Sequence, residues 1–349
     1  MVAKLKVDQL ETVDGTGNIT VNNPLTGLTS TGTVGTATLN LDGTAESSPA
    51  EGDIWYDNGK FYLGTSQIFS GVWSSGGNLI TARKQWAGAG TQSAGLSMGG
   101  HDGTSAETNI TEEYDGTSWS AGGNLGTVRR QHGSAGTQSA GLCFGGYVTM
   151  DVTEEYDGTS WSAGGNLSVA KRQMAGAGTQ SAGLCIGGYT STRINVTEEY
   201  DGTSWSAGGN LGTTRRYLAG AGTQSAGLCM GGDTGSVSNV TEEYDGTSWS
   251  AGGNLATART TLAGAGTQSA GLCMGGEDSS YSNVTEEYDG TSWSAGGNLS
   301  VAKSYLAGAG TQSAGLCMGG DTGSVSNVTE EYDPGPGSYD ELFTPSTGL

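Results

Sequence analysis

The amino-acid sequence predicts an all-β fold, a six-bladed β-propeller, from three observations: a repeat period, the pattern within each repeat and the spacing of the tryptophans. One phrase recurs through 69–333, about three quarters of the 349-residue chain. Its Gly-Thr-Gln-Ser core begins at six positions separated by 46, 42, 44, 44 and 44 residues: Gly90, Gly136, Gly178, Gly222, Gly266 and Gly310. A fixed period of this length indicates an array of identical supersecondary units.

Each repeat holds four short runs suited to β-strands, separated by Gly-rich or Asp-Gly turns, and no helical periodicity competes with them. In the fourth repeat we predict strand A over 218–222, B over 227–230, C over 240–244 and D over 249–255. Asp245-Gly246 predicts a type I′ turn between C and D, because both central residues of that turn need positive φ. Four antiparallel strands per repeat are typical of a propeller blade.

The tryptophans predict how the ring closes. Five of them stand in phase (Trp119, Trp161, Trp205, Trp249 and Trp293), and Trp73 precedes the first full repeat. The last repeat runs into 334–337 (Pro-Gly-Pro-Gly) without a strand D, and its missing tryptophan would fall at position 337, which is 264 residues or six periods of 44 after Trp73. We therefore expect segment 71–83 to supply strand D of the sixth blade and leave no open edge.

The repeat resembles the kelch family at four features. They are a double glycine (Gly231-Gly232), a tyrosine thirteen residues after the first glycine (Tyr244), a tryptophan (Trp249), and a basic residue ten further on, which is Arg215 in the preceding repeat. The resemblance covers all six repeats and implies the same propeller fold. The period is shorter than the ~50 residues usual for kelch repeats.

The first fifty residues differ in composition from the repeats, being rich in Thr, Gly, Asn and Leu and free of Trp and Cys. The following phrase, E-G-D-I-W-Y-D-N-G-K-F-Y at 51–62, predicts a hairpin about Asn58-Gly59. We predict an attachment segment at 1–50, a hairpin collar or linker at 51–68, the propeller at 69–337 and a C-terminal tail at 338–349.

Two phrases in this region, V-D-G-T-G-N-I-T-V-N-N-P-L and E-G-D-I-W-Y-D, resemble the N-terminal and collar pieces of bacteriophage tail fibres and other virion appendages. The resemblance implies a virion protein, assembled in the host bacterial cytoplasm, that contacts other virion proteins through residues 1–50. It also implies a homo-oligomer, which would be a trimer in a fibre.

Charge, apolar runs and cysteine positions limit the partners and the compartment that the chain can have. A net charge of −21 argues against a nucleic-acid partner. Residues 1–15 lack the apolar core of a signal peptide, and no run of 18 apolar residues predicts a membrane span. The five cysteines (Cys143, Cys185, Cys229, Cys273 and Cys317) occupy one repeat position, where the first repeat has Ser97. Because facing sheets pack too far apart for equivalent positions to form disulfides, we expect buried free thiols and a reducing compartment.

The six copies differ from one another mainly in two sets of loops, and these loops predict the ligand-binding face. The A–B and C–D turns are almost invariant, whereas the B–C and D–A connections vary, and in an up-and-down blade those two emerge on the same side. Variation on one side is typical of binding loops on a rigid scaffold. The candidate ligand-binding residues on this side are Trp86, Arg130, Tyr147, Arg172, Tyr189, Arg216, Tyr217, Tyr281 and Tyr305.

Two interpretations of these side chains stay open. The aromatic residues either stack on sugars or cap the mouth of the axial channel. The first basic residue of each D–A connection (Arg83, Arg129, Lys171, Arg215, Arg259 and Lys303) is expected to pair with a nearby Glu as part of the blade. The second (Lys84, Arg130, Arg172 and Arg216) becomes Thr260 and Ser304 in the last two blades, so the fold does not require it.

The sequence predicts no enzyme, no cofactor and no metal site. It contains only two histidines, His101 and His132, and paired acids such as Glu242-Glu243 point to opposite faces of a strand. The predicted function is a bacteriophage virion structural protein, a tail fibre or appendage, that displays a propeller for binding a glycan or protein of the host surface. The alternatives are a capsid-decorating or purely structural knob without receptor activity, and a cytoplasmic kelch adaptor that binds a protein partner.

Overall fold

The computed structural model describes 71–104 and 106–333 in full and, outside them, the strand backbone at 11–12, 19–20, 39–40, 54–57, 60–64 and 339–343. The chain divides into two units, Met1–Ile68 with Ser338–Leu349 and Phe69–Gly337. No helix in the described part of the chain has the length and apolar character needed to cross a membrane.

The small unit is built from short strands: β1 (Glu11–Thr12), β2 (Ile19–Thr20), β3 (Leu39–Asn40), β4 (Ile54–Asp57) and β5 (Lys60–Gly64). β1 pairs antiparallel with β2, and β4 pairs parallel with β3 and antiparallel with β5. Asp57 lies opposite Lys60, which leaves a two-residue connection between β4 and β5. The predicted hairpin is confirmed by this register.

The large unit is a ring of six four-stranded antiparallel sheets, so the predicted six-bladed propeller is confirmed. The first strand, β6 (Val72–Ser75), precedes the first complete blade. Blades 1 to 5 use consecutive strands: β7 (Ala87–Thr91), β8 (Ala94–Met98), β9 (Thr111–Tyr114), β10 (Trp119–Ala121); β11 (Gly133–Thr137), β12 (Ala140–Phe144), β13 (Thr153–Tyr156), β14 (Trp161–Ala163); β15 (Ala175–Thr179), β16 (Ala182–Tyr189), β17 (Arg193–Tyr200), β18 (Trp205–Ala207); β19 (Ala219–Thr223), β20 (Ala226–Met230), β21 (Thr241–Tyr244), β22 (Trp249–Ala251); β23 (Ala263–Gly266), β24 (Gly271–Met274), β25 (Thr285–Tyr288) and β26 (Trp293–Ala295). Blade 6 consists of β27 (Ala307–Gly310), β28 (Gly315–Asp321), β29 (Val325–Asp333) and β6.

The innermost strand of each blade, strand A, contacts the A strands of both neighbouring blades and lines the axis. These strands alternate Ala and Gly in five blades, and blade 2 has Ser134 in place of one Gly. A side chain on several of the glycines would collide with a neighbouring blade; a Cβ on Gly176 would lie 2.1 Å from the Ser134 carbonyl oxygen of the preceding blade. The small residues of strand A are therefore required by the convergence of six strands on one axis.

The chain after the propeller joins the small unit. There β30 (Tyr339–Phe343) pairs antiparallel with β5, with Tyr339 opposite Gly64. Segments 51–68 and 338–349, which the sequence predicts as separate parts, contribute strands to one sheet.

Two local predictions in the fourth repeat are wrong. Strand D ends at Ala251, four residues early, because the Leu255 amide leaves the ladder and donates to the Asn239 carbonyl. The C–D turn centres on Gly246-Thr247, one residue later than expected, and of these two only Gly246 has positive φ. The Asp245 carboxylate explains the shift, since it accepts hydrogen bonds from the Thr247 and Ser248 amides and so takes the first position of the turn.

The predicted closure of the ring is confirmed. β6 pairs antiparallel with β29, with Trp73 opposite Tyr332 and Ser75 opposite Glu330. The Trp73 ring lies 4.9 Å from that of Tyr332, and the other five Trp–Tyr pairs lie 4.8–4.9 Å apart within their blades. The sixth blade thus has the same outer strand as the others, although that strand comes from the opposite end of the array.

Side-chain hydrogen bonds repeat at all six blade boundaries. Between blades 3 and 4, the Tyr244 hydroxyl donates to Glu199 at 2.5 Å and the Trp249 indole donates to Thr197 at 2.9 Å. Equivalent pairs occur at the other five boundaries, including the one between blades 6 and 1. Each copy therefore uses the same residue types to bind both of its neighbours.

The glutamine of each A–B turn provides a third link between blades. Gln224 donates to the carbonyl oxygens of Gly183 and Tyr200 in blade 3, at 3.1 and 2.7 Å, and the other five glutamines do the same. The uniformity of these turns among the six copies thus has a structural cause.

Candidate ligand-binding face

The D–A and B–C connections meet on one side of the ring, as predicted. Backbone bridges join one residue of each: Lys84 with His101, Arg130 with Tyr147, Arg172 with Tyr189, Arg216 with Asp233, Thr260 with Glu277, and Ser304 with Asp321. We call the surface formed by these twelve residues, together with the six that follow the first member of each pair, the variable face.

The centre of the variable face is a closed ring of backbone hydrogen bonds. One non-glycine residue per blade has φ between 51° and 61°, and its amide donates to the carbonyl of the equivalent residue in the preceding blade at 2.7–3.1 Å. The six residues are Gln85, Gln131, Gln173, Tyr217, Thr261 and Tyr305. Left-handed backbone is unfavourable for such residues, so the closed ring is what holds all six in it.

This left-handed turn directs the following residue into the interior. Trp86 is 6% exposed and packs with Leu79, Leu316 and Met318 between blades 6 and 1. A Cβ at Gly319 would lie 1.9 Å from its indole, so the fit is tight. The expectation that Trp86 presents an accessible ring is corrected, and Trp86 is left out of the site.

Two of the predicted aromatic residues occupy the mouth of the axial channel. The Tyr217 and Tyr305 rings meet edge to face at 5.7 Å. The Tyr217 hydroxyl accepts hydrogen bonds from the Gln131 and Gln173 amides at 3.1 and 2.7 Å, and burial raises its pKa. The opening they line has a volume of about 80 Å³, well below the ~300 Å³ at which small-molecule pockets begin. For these two residues the capping interpretation describes the structure.

Five of the predicted residues form one continuous arginine–tyrosine stack across blades 2 to 4. The guanidinium carbons of Arg130 and Arg172 lie 4.8 and 5.1 Å from the centre of the Tyr147 ring. Those of Arg172 and Arg216 lie 5.4 and 4.8 Å from the centre of the Tyr189 ring. Because guanidinium groups from two successive blades already lie over each ring, these tyrosines are not free platforms for sugar stacking; the charged groups between them are the recognition elements.

The remaining predicted aromatic residue, Tyr281, lies apart from the stack. Its side chain is 38% exposed, and its hydroxyl is hydrogen-bonded to the Asp321 carboxylate. Glu277 is its backbone bridge partner. The variable face therefore has a cationic part on blades 2 to 4 and an acidic part on blades 5 and 6.

Basic residues of the propeller separate into two groups. Six are buried and pair with the first Glu of a strand C, as predicted, for example Arg259 with Glu286 at 2.8 Å; the others are Arg83, Arg129, Lys171, Arg215 and Lys303. The other five all lie on or beside the variable face: Lys84, Arg130, Arg172, Arg193 and Arg216. Every partly accessible cation in the described part of the propeller is thus on one side of the ring.

Ion pairs engage four of these five cations. Lys84 pairs with Asp321 at 2.6 Å, and Arg130 approaches Glu107 at 3.5 Å. Arg193 and Arg216 share Asp233 at 2.9 and 2.8 Å, which links blades 3 and 4. The fifth cation, Arg172, has no carboxylate partner among the described residues.

A second pocket, of about 310 Å³, lies where the cationic and acidic parts meet between blades 4 and 5. Its lining includes a guanidinium, two carboxylates and two phenol rings: Arg216, Asp233, Glu277, Tyr217 and Tyr305. Burial raises the pKa of Glu277. This pocket is not evident from comparing the copies, because its walls combine residues of blades 4, 5 and 6.

The side chains of His132 and Cys143 lie in the interior of the propeller. His132 is buried between blades, and burial lowers its pKa to about 3; its ring nitrogen lies 3.3 Å from the Cys143 sulfur. Burial raises the pKa of Cys143 to about 12, and all five cysteines are buried free thiols, as expected. In the described ranges, no three His, Cys, Asp or Glu side chains are grouped so that they could hold a metal ion.

Comparison with known proteins identifies the fold. No family model matches the chain, and no curated protein matches it. Solved structures match in large number, 506 chains in all, and among them is the structure of YjhT. That structure superposes with a TM-score of 0.63 at 14% sequence identity, over 74% of this chain and 96% of YjhT. At this identity the similarity concerns the propeller fold alone.

Proposed function

We propose that this chain is a non-enzymatic binding protein of a bacteriophage virion, a tail fibre or appendage, whose variable face binds a glycan of the host surface. The observation that carries the proposal is the division of roles around the ring. Residues that link the blades are repeated six times, whereas the sequence differences and the partly accessible cations gather on one face.

The pocket between blades 4 and 5 supports a saccharide ligand. Its volume of about 310 Å³ is at the lower end of the range for small-ligand sites. Its Glu277 carboxylate offers acceptors for sugar hydroxyl groups, and the Arg216 guanidinium offers donors that its hydrogen bonds to Asp233 and Gln173 do not use. Binding rather than catalysis is favoured because the paired acids are occupied: Glu242 pairs with buried Arg215, and Glu243 accepts from Tyr288.

The virion assignment rests on the two N-terminal phrases, most of which lie outside the described residues. Incorporation into particles tests it. A chain lacking residues 1–50 should fold as a propeller and fail to appear in purified particles, whereas its continued incorporation would contradict the assignment of 1–50 to attachment.

Filling the pocket tests the binding role. Thr260 lines it, so Thr260→Trp should occlude any ligand and reduce binding to host cells by about tenfold or more, a loss of about 1.4 kcal/mol. Thr203→Trp, an exposed position of an invariant C–D turn, is the matched control and should change binding less than about threefold. If particles retain the Thr260→Trp protein and adsorb normally, the structural-knob alternative replaces this proposal.

A further inference from the structure

We infer that the ligand of the variable face is an acidic saccharide and that the Arg172 guanidinium binds its oxyanion. This inference rests on the proposed function and assigns the chemistry of the ligand. This oxyanion is a carboxylate or a phosphate group carried on a sugar chain.

The first reason for this inference is that the Arg172 guanidinium lacks a partner among the described residues. Its side chain makes no ion pair or hydrogen bond to another described residue, and its Nε is buried without a hydrogen-bond partner. It is held between the Tyr147 and Tyr189 rings. A guanidinium carries five donors in a fixed fork that matches carboxylate and phosphate oxygens. The structure therefore presents an oriented donor group with no protein acceptor on the ligand-binding side.

The electrostatics of the stack are the second reason. Arg130 and Arg216 each lie about 5 Å from a tyrosine that Arg172 also contacts. Neighbouring guanidinium carbons are thus at most about 10 Å apart, which is within a Debye length at 0.1 M salt. The two flanking arginines have carboxylate partners, Arg130 with Glu107 and Arg216 with Asp233, whereas the charge of Arg172 has none among the described residues. An oxyanion bound there neutralises this charge and forms charge-assisted hydrogen bonds, which are about twice as strong as neutral ones.

The spacing of charges favours a saccharide over a nucleic acid. Duplex DNA carries one negative charge per ~1.7 Å of its axis and owes its affinity to many phosphate contacts. The cationic stack has three arginines, and the same face continues into Glu277, Asp278 and Asp321. A densely charged polymer would meet these carboxylates, whereas a sparsely charged saccharide can place one anion at Arg172 and its neutral hydroxyls in the adjoining pocket.

The test is a binding titration of the full-length protein with four defined probes: a uronic-acid oligosaccharide, a sugar-phosphate oligomer, a neutral oligosaccharide of equal length and a DNA oligonucleotide. We expect the wild-type protein to bind one of the two acidic saccharides at least about tenfold more tightly than the neutral one or DNA. The better of the two identifies the source of the oxyanion.

Two substitutions at equivalent repeat positions give the matched comparison. Arg172→Gln should weaken acidic-saccharide binding about 10- to 100-fold and leave binding of the neutral probe unchanged. Lys84→Gln removes the same charge from the variable face at blade 1, outside the stack, and should weaken binding of the acidic probe by a clearly smaller factor than Arg172→Gln does. Arg172→Lys should recover only part of the affinity, because an ammonium lacks the planar fork. Thermal melts of the two Arg172 variants should match the wild type, because Arg172 makes no ion pair with a described residue, whereas Lys84→Gln removes the pair with Asp321 and should lower Tm.

Contrary outcomes separate the two proposals. Equal effects of Arg172→Gln and Lys84→Gln, tighter binding of DNA, or no binding of either acidic probe would overturn the oxyanion site. If host-cell binding is still lost with Thr260→Trp in those cases, the binding function stands and only the ligand class is wrong.

Discussion

Breaking one buried ion pair should destabilise the whole ring by an amount that the structure allows us to estimate. The Arg259 Nη2 and Glu286 Oε1 atoms are 2.8 Å apart, with side-chain exposures of 0 and 3%. Glu286→Gln removes the negative charge and leaves the guanidinium buried. Removing one partner of such a pair costs about 3–5 kcal/mol, because the remaining charge stays desolvated.

The neighbouring residue supplies the control. Glu287 is on the opposite face of the same strand, half-buried, and accepts a hydrogen bond from the Tyr332 hydroxyl. Glu287→Gln keeps an acceptor oxygen and should cost about 1 kcal/mol or less. Both variants change the same chemical group by the same amount, so the difference between them measures the uncompensated charge of Arg259.

Thermal and urea unfolding of the full-length variants, followed by tryptophan fluorescence, is the assay. About 1 kcal/mol shifts Tm by ~2–4 °C in a unit of 150–250 residues, so Glu286→Gln should lower Tm by roughly 6–20 °C. The double variant Arg259→Met with Glu286→Leu should recover most of the loss, since it removes both charges. Equal shifts for Glu286→Gln and Glu287→Gln would refute the reasoning, and so would a double variant no better than Glu286→Gln.

Further predictions concern closure, the glutamine links and pH. Deleting 72–79 removes β6 and exposes the edge of β29, so the protein should form oligomers in size-exclusion chromatography; a stable monomer would contradict closure by this strand. Gln224→Ala leaves two carbonyls in blade 3 without their donor and should lower stability by about 1–3 kcal/mol in urea unfolding, whereas an unchanged midpoint would show that this link contributes nothing. Burial alone would raise the pKa of Glu330, but pairing with Lys303 lowers it below its usual 4.5, so its contribution is present above that pH and is lost as pH falls through the folded-state pKa. The stability gap between wild type and Glu330→Gln should therefore narrow in acid, and a constant gap would contradict the shift. Burial and the hydrogen bond to Glu raise the pKa of five strand-C tyrosines to about 12; their contribution is complete below the unfolded pKa of about 10 and is lost as pH rises towards 12. Tyrosinate absorbance should show these groups ionising later than in the urea-unfolded chain, and coincident titrations would be inconsistent with it.

The repeat period and the position of Trp73 were sufficient to predict the architecture and the closing strand. Both are regularities that extend over the whole array, and each of the six copies supports the same assignment of strands. The position of the C–D turn could not be predicted with the same accuracy, because Asp245 suits two positions. It can be a central residue of a type I′ turn, or it can take the first position of the turn and accept hydrogen bonds from the turn amides through its carboxylate. Which of these occurs depends on hydrogen-bond geometry that the sequence does not encode locally.

The candidate site was predicted in part. The variable face followed from comparing the copies, but the burial of Trp86 did not, because nothing in a Gln, Tyr or Thr residue signals the left-handed backbone that turns the next side chain inward. The stack of Arg172 with Tyr147 and Tyr189 joins residues from two repeats, and the stagger between blades decides which rings a guanidinium reaches. The role of Gln224 was missed because its exposed neighbours in the A–B turn are equally invariant.

The repeated hydrogen-bonding links between blades affect whether whole repeat units can be exchanged along the chain. The hydrogen-bonding links use the same residue types at every boundary, so exchanging two units would alter the groups on the variable face while keeping those links. The buried residue after each left-handed turn is not uniform, being Trp86 in one unit and His132 in the next, and it would have to fit its new neighbour. The number of units has no such freedom, because the strand from Val72 must meet the open edge of β29 after a full turn. Blade count is therefore fixed, whereas exchanging whole units would create a new variable face at the cost of refitting only one buried side chain at each boundary.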